Sequence, residues 1–375
     1  MRFNHLLPGL ALLSAVIQAH PGHDISGLVA ERAAHFATNA PRDISHCAAK
    51  LKARGHQQRT IDRRSALLQR EREKRGIMAS EAHLKARALD APLEIRDAAS
   101  ALNTSHLSPT TYTPDTDVNT LFASNSSCVL VPEVTEGPYY VSGELIRSDV
   151  RDNQTGLDLI LDIQVIDTAT CEPVSGVYID LWHCNSTGVY SGVVASGNGN
   201  IGDTTNINET HHRGLQETSS DGVAQFTTNY PGHYTGRTNH IHVATHTNGT
   251  VLANNTYSSG TVSHVGQLFM DQNLTSQVEA TGVYATNTQT LTTNAEDSIF
   301  SQEAASGDPV VEYSLLSNDI NDGVFAWIAF GIDASASKSI TAAAVYGENG
   351  GTATGNSGGG GAPPGDVPSG TPPSK

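Results

Sequence analysis

Leu157, Leu159, Leu161, Ile163 and Val165 alternate with Asp158, Ile160, Asp162, Gln164 and Ile166. Successive side chains of a strand point to opposite faces, so this period of two predicts a half-buried β-strand. Val177, Ile179 and Leu181 repeat the pattern against Tyr178, Asp180 and Trp182. Further strands are expected at 223–228, 240–246, 263–270, 309–316 and 323–332, with Asp221-Gly222 as a hairpin-type turn. No helical periodicity of comparable strength interrupts them, so the chain is expected to be mainly β, with a β-sandwich over residues 125–346. Ser191 to Ser220 is a Gly/Asn/Thr-rich excursion too long for an ordinary turn, a length that is usually functional or disordered.

The flanks differ in chemistry. Residues 20–100 hold 15 basic and 10 acidic residues, a net +5, whereas residues 101–375 hold 6 and 28, a net −22. Residues 20–100 are expected to form a charged helical arm or propeptide. Ile61, Ala66, Leu67, Leu68, Ile77 and Met78 mark one apolar side, and Lys74-Arg75 is either a dibasic processing site or part of a solvated face. Residues 101–124 read as a Thr/Ser/Pro-rich linker. Residues 347–375 hold ten Gly and five Pro and are expected to be a disordered tail. The acidic main domain argues against nucleic acid as a partner.

Residues 1–19 combine Arg2, an apolar stretch from Leu6 to Ile17 and a small residue, Ala19, and are expected to be a secretory signal peptide. The mature protein is then secreted and extracellular, with no membrane association. N-x-[ST] acceptors at Asn103, Asn125, Asn153, Asn185, Asn208, Asn248, Asn254 and Asn273 agree with a glycoprotein. Four cysteines can pair in three ways. Cys171 with Cys184 is favoured, because the intervening segment can run out and back along one sheet edge, which leaves Cys47 with Cys128; free, buried thiols are the alternative.

The residues that carry chemistry centre on His240-Ile241-His242. Positions i and i+2 of a strand share a face, so both imidazoles can meet one metal ion. Upstream, a Pro231-Gly232 turn presents Tyr234 with Arg237 close by, and Tyr190 follows the strand that ends at Trp182-His183-Cys184. Two phenolates and two imidazoles suit a trivalent ion such as Fe(3+). A phenol ionises near pH ~10, so only a strongly Lewis-acidic metal would hold it deprotonated.

At these residues the sequence resembles the intradiol ring-cleavage dioxygenases, in particular their secreted fungal branch. The resemblance covers roughly Cys128 to Ile332. It rests on Thr135-Glu136-Gly137-Pro138-Tyr139-Tyr140, on Asp180 to Tyr190, on Tyr230-Pro231-Gly232 to His242, and on Gly266-Gln267-Leu268-Phe269. It implies non-haem Fe(3+) held by Tyr190, Tyr234, His240 and His242, with Tyr234 displaced by substrate and acting as a base. Arg237 would stabilise charge on the bound aromatic, and Gln267 would stand near the reacting ring. The substrates implied are a small aromatic diol and O2, and the product a muconate-type diacid. Helical N-terminal segments of related enzymes build dimer contacts, so the arm is a candidate homodimer contact. Tyr234 and His240 are six apart, which implies a short covering loop and a more open pocket, with Tyr139 and Tyr140 lining its mouth or serving as core aromatics. His211, His212, His246 and His264 are expected to face solvent or the long excursion. Two other classes remain: a cupin-like metal enzyme, which wants a Glu about four residues after the His pair where His246 stands, and a catalytically inactive sandwich that binds ligands.

Overall fold

The computed structural model describes residues 44–77, 98–108, 136–258, 260–304 and 307–355. The expected signal peptide, the arm before residue 44, Cys128, Asn125 and the tail beyond residue 355 lie outside the described residues. Five α-helices are described: α1 (Ala48–Ala53), α2 (His56–Lys74), α3 (Ala98–Asn103), α4 (Gln272–Glu279) and α5 (Ser298–Ala304). The strands are β1 (Val141–Ser142), β2 (Asp158–Asp167), β3 (Tyr178–Trp182), β4 (Arg213–Glu217), β5 (Val223–Asn229), β6 (His240–Thr247) and β7 (Thr250–Val251). They continue as β8 (Tyr257–Ser258), β9 (Thr261–Phe269), β10 (Glu312–Leu315), β11 (Val324–Ile332), β12 (Ala344–Gly347) and β13 (Gly350–Ala353). Among the described residues no helix is long and apolar enough to cross a membrane.

Two four-stranded sheets, ordered β10-β11-β2-β5 and β4-β3-β6-β9, form the expected β-sandwich. Leu159, Leu161, Ile163 and Val165 of β2 meet Ile179 and Leu181 of β3 and Ile241 and Val243 of β6 in the core between them. This is the pleat turning every second side chain inward. Asp221-Gly222 does not close a hairpin. It lies between β4 and β5, which belong to different sheets, and so carries the chain across the sandwich. The long excursion holds a strand of its own, β4, which pairs with β3. The helices α4 and α5 were not expected. Each begins at an Asp whose side chain accepts from the first free amides: Asp271 from Asn273 and Leu274, and Asp297 from Ile299 and Phe300.

β2 is buried on both faces, not one, because the arm covers its outer side. Ile61, Leu67 and Leu68 of α2 pack on Ile160, Leu316, Phe325 and Trp327. Arg63 and Arg64 both reach Asp162, at 2.9 Å each. Arg75 of the expected dibasic site pairs with Asp158 at 2.7 Å and with Glu71 at 2.8 Å. Among the described residues, Ile61, Leu67 and Leu68 of the arm are thus spent on their own chain.

The disulfide is Cys47–Cys171, not either of the expected pairs, with a Cα–Cα distance of 5.1 Å. Cys171 precedes β3 and Cys184 follows it, so the strand itself holds them apart. Cys184 is a buried free thiol that donates to Gly232 O. The bridge joins the arm to the sandwich across 124 positions. Cys47→Ser is expected to lower unfolding stability by about 2–5 kcal/mol, read from urea unfolding under non-reducing conditions.

The expected linker is also partly built in. Leu107 pairs with Tyr313, and the buried His106 lies between Asp308, 2.8 Å from Nε2, and Asp271, 3.3 Å from Nδ1. Burial pushes this imidazole down, but the charge of Asp308 and the bonds to both carboxylates outweigh it and raise it to about 10. A raised folded-state pKa means stability that is fully present below the unfolded value, near pH ~6.5, and lost as pH climbs toward 10. Thermal melts from pH 6 to 10 should show a loss that His106→Asn does not share. At the other end, β12 and β13 pair as a hairpin, so order continues past the expected start of the tail.

Candidate metal centre

Odd positions of β6 enter the sandwich core, so His240 and His242 stand on the opposite face of the β4-β3-β6-β9 sheet. Register then places a row across all four strands: Arg213 opposite Trp182, Trp182 opposite His242, and His242 opposite Gln267. Directly paired residues share a face. Trp182 lies flat on His242, with ring centroids 5.0 Å apart and planes 5° from parallel.

Tyr190 and Tyr234 reach this face from two loops that touch through glycines. Gly188 has φ +85°, and a Cβ there would lie 2.2 Å from His233 O; one at Gly232 would lie 2.5 Å from Asn185 O. The close backbone approach brings the two tyrosines to one spot, with rings 5.8 Å apart and edge to face. Gly188→Ala is expected to destabilise the protein by about 2–4 kcal/mol in urea unfolding, since it adds both left-handed strain and a clash.

The four side chains converge. Tyr190 Oη and Tyr234 Oη each lie 3.3 Å from His240 Nε2, and His242 Nε2 lies 3.2 Å from it. Thr238 O accepts from His240 Nδ1–H at 2.6 Å, which leaves a lone pair on Nε2 directed at the other three donors. Donors about 2 Å from one ion at angles a little above a right angle have separations of about 3.2 Å. Burial pushes both phenols well above the ordinary tyrosine range, and their proximity pushes Tyr190 further. Burial, then the charge of His240, pushes His242 well below the ordinary histidine range. A neutral imidazole pair beside two phenols that need a cation to ionise is a donor set that fits Fe(3+).

Arg237 is 1% exposed. Its Nη2 donates to Gln267 Oε1 at 2.6 Å and its Nε to Asp297 Oδ2 at 2.8 Å. Arg213 lies over the Tyr190 ring at 6.0 Å and pairs with Glu144 at 2.9 Å. Both Tyr139 and Tyr140 are buried. Tyr139 packs on Tyr190 at 4.9 Å between centroids, while Tyr140 packs on Trp182 at 5.1 Å. The open mouth expected from the six-residue interval is not seen: Tyr190, Tyr234, His240 and His242 are all at most 3% exposed.

His211, His212, His246 and His264 are buried rather than solvent-facing. His246 pairs with Asp180 at 3.2 Å, His212 stacks on His183 and His264 on Phe330, so none of them joins the four donors. His246 therefore does not supply the further ligand that a cupin-like centre needs. Asp297 and Trp182 were missed as site residues. The Asp-Ser-Ile-Phe run at 297–300 is a helix-start signal, but nothing local announces its arginine partner. A polar cavity of about 560 Å³ lined by Asp149, Arg151, Asp152, Asp158 and Asn229 contains none of the four donors.

Residues 135–288 match a family model described as Dioxygenase. Over 65 residues the chain is 40% identical to catechol 1,2-dioxygenase of Pseudomonas sp. (strain EST1001), a match of 16% of this chain and 21% of that protein. The chain thus matches about a fifth of that relative's length. Among solved structures, an intradiol ring-cleavage dioxygenase from Tetranychus urticae is 28% identical, over 56% of this chain and 97% of that one, with a TM-score of 0.47. Catechol 1,2-dioxygenase from Pseudomonas arvilla C-1 is 20% identical, over 54% and 62%, with a TM-score of 0.35.

Proposed function

We propose that this chain, whose residues 135–288 match the Dioxygenase family model, is an intradiol ring-cleavage dioxygenase that cleaves catechol-type diols between the two hydroxylated carbons and incorporates both atoms of O2. The observation that carries the reading is the convergence of Tyr190 Oη, Tyr234 Oη and His242 Nε2 within 3.2–3.3 Å of His240 Nε2. A ferric ion held by these four side chains would supply Lewis acidity toward the diol and electronic coupling between diol and O2.

The chain's own residues then have distinct tasks. Thr238 O keeps the His240 proton on Nδ1, and Trp182 fixes the plane of His242. Tyr234 Oη is placed to accept a proton from a substrate hydroxyl, since burial makes its phenolate a strong base. Arg237, kept charged by Asp297 against the cost of burial, stabilises negative charge that develops on the ring. Gln267 holds one arm of that guanidinium. The packed rings of Tyr139 and Tyr190 exclude water from the donors.

A secreted setting is part of the proposal. It is supported by the apolar leader, by the disulfide, and by exposure of Asn103, Asn153, Asn208, Asn248, Asn254 and Asn273 among the N-x-[ST] acceptors. The acidic domain repels anions at long range, so uncharged catechols are the favoured substrates. The test is O2 uptake and product analysis by iron-loaded protein with catechol, 4-substituted catechols and hydroxyhydroquinone. Muconate-type diacids are expected; extradiol products, or no uptake with any of the three, would refute the reading.

A further inference from the structure

The guanidinium of Arg237 is held by two segments distant in sequence. Asp297 Oδ2 accepts from Arg237 Nε at 2.8 Å and from the Thr238 amide at 2.9 Å, while Gln267 Oε1 accepts from Nη2 at 2.6 Å. The other Asp297 oxygen accepts from the amides of Ile299 and Phe300 at 2.8 and 3.0 Å. The carboxylate therefore cannot turn without uncapping α5, and Arg237 cannot swing without losing a charge-assisted bond in a dry site. Thr238 Oγ1 bonds Asn294 Oδ1 at 2.7 Å, which ties the same stretch down a second time. Asp297 is 1% exposed and lies 60 positions from the arginine it holds. Glu303, at the far end of α5, is pushed well above the ordinary carboxyl range by burial, and the carboxylate bonded to Arg237 is that of Asp297.

We propose that Asp297 is a positioning residue for ring cleavage: it fixes the direction in which Arg237 presents its charge to the substrate. This rests on the function proposed above. A long arginine side chain has several rotamers of similar energy, and a guanidinium stabilises a developing charge only if it is already aimed there. Asp297 removes that freedom at Nε, and Gln267 removes it at Nη2. The role of Asp297 is then felt in kcat, where charge develops, more than in KM.

Asp297→Asn separates this role from capping. Asparagine is as good an N-cap as aspartate, so its oxygen can keep α5, but its amide would then face Nε–H and the Thr238 N–H as donor against donor. The test is a double-mutant cycle in the full, iron-loaded chain, with Asp297→Asn, Arg237→Gln and the double variant assayed on catechol. Asp297→Asn is expected to lower kcat by about 10–100-fold with little change in KM, and to cause no further loss in the Arg237→Gln background. Equal losses in both backgrounds would overturn the proposal. Hydrogen exchange at Arg237 Nε, followed by NMR, gives a readout without turnover: protection in the wild type should vanish in Asp297→Asn, and unchanged protection would also overturn it. Absence of O2 uptake by the wild type would sink the functional reading, while the exchange experiment would still decide whether Asp297 holds Arg237. Asp297→Ser, which also caps a helix but lacks the second oxygen, serves if the asparagine variant does not fold.

Discussion

Tyr234→Phe is expected to lower kcat for catechol by about 10²–10⁴-fold, the range for loss of a positioned acid or base. The argument starts from packing. The Tyr234 ring meets His240 edge to face at 5.7 Å and Tyr190 at 5.8 Å, and phenylalanine keeps both contacts. What is lost is one oxygen, 3.3 Å from His240 Nε2, which under the proposed function would both complete the donor set and receive the substrate proton. Iron content should fall less than kcat, because Tyr190, His240 and His242 remain. Tyr190→Phe should do the reverse, with weaker iron retention as its main effect. Each variant should also lose part of the visible absorption that phenolate donation to Fe(3+) produces. Iron-loaded Tyr234→Phe with wild-type colour and rate would remove Tyr234 from the centre altogether.

The sandwich and the His240–His242 pair were legible because each depends on short periods. Alternation over 157–166 and 177–182 marks strands, and a His-x-His pair on a strand must share a face. Tyr190 and Tyr234 were singled out by the Pro231-Gly232 turn and the strand end near the His pair, and the resemblance gave each its separate role. The physical device that joins them, reciprocal close approach at Gly188 and Gly232, has no periodic signature. The errors arose where tertiary contact overrode a local reading. The charged arm reads as solvated because Arg63 and Arg64 sit on it, yet their carboxylate partner lies about a hundred positions away on β2. The favoured disulfide followed chain proximity, whereas Cys47 and Cys171 meet because the arm docks. His212, His246 and His264 look like surface histidines until the sheet and its cover supply their partners. Asp297 is visible as a helix cap and invisible as a partner of Arg237, since only the fold brings α5 to the end of β6.

Removing the Asp162 charge should be the most destabilising single change in the arm's interface. Asp162 is fully buried on β2 and receives Arg63 Nη2 and Arg64 Nε, each at 2.9 Å, with Gln225 also donating to it. Burial alone would raise this carboxyl, but the charges of Arg63 and Arg64 outweigh it and hold it well below the usual carboxylate range. Asp162→Asn would leave Arg64, 1% exposed and stacked over Trp327 at 5.6 Å, as a buried cation without its counter-charge. Breaking one partner of such a buried pair costs about 3–5 kcal/mol, whereas replacing both partners by apolar groups is often neutral. Asp162→Asn should therefore fall by about that amount in urea unfolding at pH 7, and Asp162→Leu with Arg64→Met should recover much of it. The pH dependence has a fixed sign. A depressed folded-state pKa contributes stability that is present above the unfolded value, near pH ~3.9, and is lost as pH falls below it. The gap between wild type and Asp162→Asn should thus stay constant down to about pH 5 and narrow progressively as pH falls below about 4. A loss under about 1 kcal/mol at pH 7 would mean that apolar contact of Ile61, Leu67 and Leu68 with Phe325 and Trp327 holds the arm without help from the ion pairs. Even then Cys47–Cys171 keeps the arm beside the sheet, so a cut after Arg75 would leave residues 47–75 attached until the disulfide is reduced.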